Sequence, residues 1–275
     1  MSCMGRRFID GLGGSVLVRL ALVLIVCSVS RELNGAPVPV IQKQGSTHGF
    51  LVLEDENHKE IAVGDQINVV RGNTLKARLV FHFKDGSIDD ETAVVQQGAT
   101  FRLLTDHHVQ SGPSFAKAAE VTIDVPKGQV SWVESSGKGK ETKSQHVDMP
   151  ADLVNGLLSL VVENFPAKTE EMDVSYLVVA PKPRVVKFNV KRDGEDRVTF
   201  GARSRKAERF NIHVSLGGVA GAVAPLLGKQ PPDLKMWTLG ELPVFIRMVG
   251  PLYMDGPIWT IAWAAPKWVG GEQQQ

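Results

Sequence analysis

Hydrophobic and polar residues alternate with a period of two through much of the chain. Between Leu75 and Lys84, Leu75, Ala77, Leu79, Phe81 and Phe83 fall on one side, with Lys76, Arg78, His82 and Lys84 on the other. A pleated strand sends successive side chains to opposite faces, so this run predicts a strand with one buried face. Val121, Ile123 and Val125 repeat the pattern, as do Val186, Phe188 and Val190. It returns at Phe210, Ile212, Val214 and Leu216, with Asn211, His213 and Ser215 opposite, and at Trp259, Ile261 and Trp263. Turn signals separate the runs. Asp85-Gly86 and Asp193-Gly194 are tight-hairpin pairs, because both turn positions must accept positive φ. Lys127-Gly128 and Ser136-Gly137-Lys138-Gly139 are weaker signals of the same kind. The expected fold is mostly β: an antiparallel curled sheet or barrel of about twelve strands.

One stretch departs from this period. After Pro150-Ala151-Asp152, Leu153, Leu157 and Val161 recur four apart, and Val154, Leu158 and Val162 form the adjacent row. Asp152, Asn155, Gly156, Ser159 and Glu163 fall on the other side. The spacing predicts one amphipathic helix over 151–165, ending before Pro166, which either fills the core or covers an open end or the concave face of the sheet. Gly156 costs a helix interior about 1 kcal/mol relative to Ala, which points to close packing there. No internal repeat or long linker interrupts the chain. Residues 37–270 read as a single β-rich domain that could divide near 166–170, with 271–275 as a disordered tail.

The first residues follow another logic. Arg6 and Arg7 precede an apolar run from Leu20 to Val29, then Asn34-Gly35-Ala36 and the break Pro37-Val38-Pro39. This predicts a signal peptide over 1–36, cleaved after Ala36, and an exported chain in the periplasm or outside the cell. The apolar run is short of the roughly 20 residues of a membrane span, so no transmembrane span is expected in the mature chain. Both cysteines, Cys3 and Cys27, lie within the leader. The mature chain would then lack disulfides, thiol catalysis and Cys-ligated zinc. Leu24-Ile25-Val26-Cys27 departs from a lipobox at Val26, so lipid attachment at Cys27 is not expected.

Composition narrows the classes further. The 275 residues are 43% hydrophobic and 22% charged, with a formal charge of +1. Removing 1–36 takes away four arginines and two acids and leaves an excess of one negative charge. That balance argues against a nucleic-acid binder, which carries a clear basic excess.

Candidate chemistry is sparse. Asp106-His107-His108 looks like a metal cluster, but in a regular strand the two imidazoles point to opposite faces. His48, His58, His82, His146 and His213 are scattered, and exposed histidines with no metal are expected. Ser114-Phe115-Ala116-Lys117 has the spacing of a serine-lysine pair but lacks the partner elements that chemistry needs. Ser135 to Lys138 matches equally well inside a turn. Gly137-Lys138-Gly139 is not set between a strand and a helix as a phosphate loop requires. Arg203, Arg205, Lys206 and Arg209 are diluted by Glu208 and read as decoration of a hairpin. Asp89-Asp90-Glu91 reads as a solvated turn. No catalytic residue and no cofactor is expected.

The segment from Val214 to Gly228 carries no charge over fifteen residues and is rich in Gly, Ala and Val. It leads into Lys229-Gln230-Pro231-Pro232-Asp233, and four of the five tryptophans follow residue 236. Small uncharged residues followed by aromatics suit the wall of an apolar site. Together with the helix they give the expected cavity boundary: Leu157, Val161, Val219, Val223, Leu226, Trp237 and Trp259.

Phe81-His82-Phe83-Lys84-Asp85-Gly86-Ser87, Gln110-Ser111-Gly112-Pro113-Ser114-Phe115 and Gly228-Lys229-Gln230-Pro231-Pro232-Asp233 together resemble a family of exported bacterial proteins of unknown function. The likeness covers most of the chain after the leader. It implies a β-rich exported protein and brings no catalytic motif with it. The plan is also remotely similar to periplasmic lipoprotein-carrier half-barrels, which hold acyl chains in an apolar cavity closed by helices. The leading expectation is a non-enzymatic extracytoplasmic β protein that binds an apolar or lipid-like ligand, or an envelope partner. The alternatives are an extracytoplasmic hydrolase using unplaced acids and histidines, and a structural or adhesive module. A carrier needs an enclosed apolar cavity, a hydrolase a cleft with converging titratable groups, and an adhesive module an exposed apolar patch.

Overall fold

Period-two alternation becomes fourteen antiparallel strands in one curled sheet among the described residues. The structure is a computed structural model, and it describes residues 37–136, 139–180, 182–200, 203–215 and 230–264. The first eight strands are β1 (Thr47–Glu54), β2 (Glu60–Arg71), β3 (Thr74–Phe83), β4 (Ile88–Gln97), β5 (Phe101–Ser111), β6 (Ala119–Asp124), β7 (Gln129–Ser136) and β8 (Gly139–His146). A helix, α1 (Leu158–Glu163), follows. The remaining strands are β9 (Glu171–Val178), β10 (Arg184–Phe200), β11 (Arg203–Ser215), β12 (Leu234–Leu239), β13 (Val244–Gly250) and β14 (Trp259–Trp263). The described residues form one compact unit. Residues 1–36, expected to form a leader, and the segment carrying Val219, Val223 and Leu226 lie outside the described residues.

The sheet is two meanders joined at one seam. Each strand pairs with its neighbour in the chain, except that β1 pairs with β14. Leu51 faces Trp263 there and Leu53 faces Ile261. The free edges are β8 and β9, and residues 147–170 run between them. The inner face carries the main core, in which Leu53, Leu75, Phe81, Val95, Ile123, Phe210 and Ile212 are fully buried. The other face carries a small cluster of Ala207, Trp237 and Ile246.

Asp85-Gly86 turns the chain between β3 and β4 as expected, with Gly86 at φ +86°. Asp193-Gly194 does not make a hairpin. Both residues lie inside β10, which pairs with β11 on either side of a register shift between Arg192 and Glu195. Gly194 takes φ +98°, so its freedom serves a bulge instead of a turn. Arg209 fixes that bulge by donating to the Asp193 carbonyl and to the carboxylates of Asp193 and Asp196.

The expected helix over 151–165 is a single short helix, Leu158–Glu163, preceded by turns. Gly156 is the reason. It takes φ +67°, a left-handed conformation that no α-helix continues through. A Cβ there would lie 2.9 Å from the Ala93 Cβ and 3.1 Å from Asp106 Oδ1. The segment ahead of it extends the sheet edge: Val154 N donates to Ser175 O, and Ser175 N to Asp152 O. Asn155 continues the ladder with its side chain, accepting from Leu177 N at 2.8 Å and donating to Leu177 O at 3.0 Å.

The polar positions expected to face solvent are largely buried. Asp152 binds Lys187 Nζ at 3.0 Å and accepts from Ser175 Oγ at 2.9 Å. Glu163 accepts from Phe245 N at 2.8 Å and from Gln44 Nε2 at 3.0 Å. Asn164 Oδ1 accepts from the backbone of Ile41 and Gln42, which lays the N-terminal segment along α1. The segment looks amphipathic because its polar groups have partners inside the protein.

Asn155→Ala should destabilise the fold by about 1–3 kcal/mol, because it strands two backbone groups of Leu177. Urea unfolding of the variant checks this. Burial lifts the Glu163 carboxyl to about 7, against the donors Phe245 and Gln44, which pull it down. The native state therefore holds a proton that the unfolded chain has released, and stability falls as pH rises from about 4.5 to 7. Glu163→Gln should flatten this slope, on the order of 3 kcal/mol across the window, in denaturation curves taken along the pH range.

Candidate functional site

The inner face of the sheet borders a partly open cavity of about 300 Å³. Its floor comes from three strands that place Gln66, Leu79 and Glu91 in one transverse row, followed by His108 on β5. The next row holds Asn68, Ala77, Ala93 and Asp106. Facing walls come from the second meander, including Phe188, Met236, Met248 and Ile261. Gly156, Leu158 and Leu160 supply another side, so the short helix borders the cavity. Tyr176 stacks on Phe188, with ring centroids 4.6 Å apart and planes 5° from parallel.

One border is fastened by loops. Gln110 Nε2 donates to the Leu252 carbonyl at 3.1 Å, and the Tyr253 hydroxyl donates to the Ser114 carbonyl. Phe83, Phe115, Tyr253 and Trp259 form a cluster of edge and tilted ring contacts behind this border.

A group of titratable side chains converges beside the floor. His108 Nε2 lies 2.6 Å from Asp89 Oδ1. Burial lowers the pKa of the His108 imidazole, but Glu91, the hydrogen bond to Asp89, and Asp106 outweigh it and raise it to about 9. Burial raises the Glu91 carboxyl, and Asp89 adds to this while His108 opposes it. Burial also drives Asp106 well above the usual carboxylate range, helped by Glu91. The Tyr176 phenol is raised by burial and by the same three acids. Arg78, also along the cavity, is engaged by both carboxylate oxygens of Asp90.

This corrects the expectation of a solvated acidic turn, and of an exposed histidine at His108, while the other six histidines are exposed as expected. Asp89, Asp90 and Glu91 lie within β4, and Asp89 is buried. His107 is exposed near Glu120, whereas His108 turns inward. A bulge explains the reversal. Val95 pairs with Leu103 and Val94 with Thr105, which leaves Leu104 as an extra residue in β5. Phe101 and Leu103 point inward before it, and Asp106, His108 and Gln110 after it. Extrapolating one phase along β5 puts Asp106 and His108 outside, so strict alternation misses them. The paired spacings Asp89-x-Glu91 and Asp106-x-His108 were the available signal.

The described members of the expected cavity boundary lie elsewhere. Leu157 and Val161 pack with Val38 and Phe101 on the far side of α1. Trp237 lies in the small cluster on the other face of the sheet, with Arg247 over its ring. Trp259 belongs to the aromatic cluster behind the cavity border. None of the four lines the cavity. Ser114 belongs to a loop and donates to Asp85, so no helix start presents it to Lys117. Among the described residues, no grouping of His, Cys, Asp and Glu could hold a metal ion. No helix among them is long and apolar enough to cross a membrane.

No protein-family model matches the chain. No curated protein sequence matches it. Among solved structures, the chain is similar to the β-barrel-like protein of Domain of Unknown Function DUF1849 from Brucella abortus. The identity is 11% and the TM-score 0.43, over 82% of this chain and 98% of that one.

Because His108 is raised from 6.5 to about 9, its protonated form stabilises the fold below pH 6.5, and that contribution is lost as pH rises towards 9. Wild-type stability should therefore decline across this window. In His108→Gln the decline should shrink, as read from urea midpoints at matched ionic strength.

Proposed function

We propose that the chain is a non-enzymatic binding protein that takes a small apolar or lipid-like molecule into the cavity of its curled sheet. The observation that carries this reading is the cavity itself: about 300 Å³, with apolar walls in which Leu, Met, Pro and Phe side chains recur. At about 30 Å³ per heavy atom, the share a water takes in the liquid, this space suits a ligand of about ten heavy atoms or one end of a longer chain. Unbranched Met236 and Met248 adapt readily to differently shaped guests. The leader pattern adds an exported setting, the periplasm or beyond, where the guest would be taken up. An apolar group on an envelope partner is the other occupant this chemistry suits.

A hydrolase is the second reading, supported by the convergence of Asp89, Glu91, Asp106 and His108. It lacks an activated nucleophile: His108 is bonded to Asp89, and no hydroxyl among the described residues is hydrogen-bonded to it.

Titration calorimetry of the full chain with octanol tests the binding reading. Octanol should bind with a negative heat-capacity change, the mark of apolar burial. Leu79→Trp and Met248→Phe fill the cavity from opposite sides, and each should weaken binding at least about tenfold with an unchanged circular dichroism spectrum. Absence of binding, or equal binding by correctly folded cavity-filled variants, overturns the reading.

A further inference from the structure

Three buried acceptor atoms on the cavity floor or next to it lack a hydrogen-bond partner. Asn68 is 6% exposed, lines the cavity, and its Oδ1 has no hydrogen-bond partner. Gln66 lines the same floor, and its Oε1 is likewise buried and unpartnered. Asp106 Oδ1 is buried beside Gly156 without a partner. Each of these atoms is an acceptor. A buried acceptor left unsatisfied costs about 1–3 kcal/mol, and such groups ordinarily have a partner.

The charges near them are unbalanced in the same sense. Of the three inward acids, Asp89 is joined directly to His108. Glu91 and Asp106 feel the same imidazole and form an ion pair with no other cation among the described residues, so one positive charge serves three acids. Arg78 is held by Asp90, and Lys187 by Asp152 and Ser175. The register places Gln66 and Glu91 on either side of Leu79, two strand spacings or about 10 Å apart. The cavity thus has hydrocarbon walls and a floor that offers acceptors and negative charge.

We infer that the ligand is a single-chain alkylammonium amphiphile, its N–H groups on the Glu91 carboxylate and the neighbouring amide oxygens of Gln66 and Asn68, and its hydrocarbon against Phe188, Met236 and Met248. This rests on the binding reading above and assigns its substrate class. An ammonium supplies three donors and one positive charge, which matches both the orphaned acceptors and the excess acid. A carboxylate headgroup would add a further anion and only more acceptors. An alcohol supplies one donor and no charge.

The inference also fixes a pH response. The groups facing Glu91 are Asp89 from its own strand, Asp106 and His108 from β5, and Tyr176 from β9. The adjoining Gly156–Leu160 segment brings no charged side chain. Bound ammonium favours the ionised acids, so its binding releases protons and strengthens as pH rises from 5 to 8. An alkylamine keeps its own proton throughout, as a lysine does with a pKa of about 10.4.

Calorimetry of the full chain with octylamine, octanol and octanoate decides the matter. At pH 8, octylamine should bind at least about tenfold tighter than octanol, and octanoate weakest. Glu91→Gln should erase the preference for the amine over octanol, and Asp106→Asn should reduce that preference in part. Octylamine affinity should drop between pH 8 and pH 5 while octanol affinity stays level. If octanol binds and octylamine is no tighter, or if Glu91→Gln keeps the preference, the headgroup assignment is overturned and the cavity reading stands. If none of the three binds, the cavity reading is what fails.

Discussion

The pairing of β1 with β14 is the contact on which the rest depends. Every other pair in the sheet joins strands adjacent in the chain. This seam alone brings the ends of the fold together, through Leu51 against Trp263 and Leu53 against Ile261. Gly49 makes room for it, since a Cβ there would lie 1.8 Å from the Trp263 ring. Beyond the last paired residue, Ala264 N donates to Phe50 O. Without the seam there would be two separate meanders, each with an exposed apolar face. With it, the floor of β2 to β5 shares a sheet with the Met- and Phe-lined walls of β10 to β14, and the cavity forms between them.

The other end of the sheet is settled differently. At β9 the free edge is covered by residues 152–155, whereas β8 is almost wholly exposed, and the covering segment succeeds through its polar residues. Asn155 imitates a strand at β9, Asp152 meets Lys187, and Glu163 and Asn164 take up backbone donors. Each is buried and each has a partner, so the segment covers the inner face without stranding backbone groups. The same chain thus covers the sheet edge and borders the cavity at Gly156 and Leu158.

Much of the architecture was legible in the sequence because a half-buried antiparallel strand writes its geometry into alternation. The inward sets at Leu75–Phe83, Val186–Val190 and Phe210–Val214 are those the pattern gave. Regularity was also the limit. Leu104 shifts the phase within β5, so the acids and His108 that surround the cavity lay hidden among residues expected outside. At 151–165 the apolar rows were real, but Gly156 in a left-handed conformation cut the helix short, and tertiary partners replaced the water that its polar face implied. Asp193-Gly194 shows that a turn signature reports a tolerance for positive φ, which a bulge uses as readily as a hairpin. Trp237 shows that aromatic composition does not say which side of a sheet a ring will occupy.

The extra residue at Leu104 has a consequence for how this chain can vary. Loss of that one codon would close the bulge and leave Thr105 against Val94, Asp106 against Ala93 and His108 against Glu91. Asp106 and His108 would still turn into the cavity, and His107 to water. Descendants of this sequence can therefore shed the extra residue more easily than gain or lose a paired one, because the cavity's chemistry is set by parity as much as by residue type.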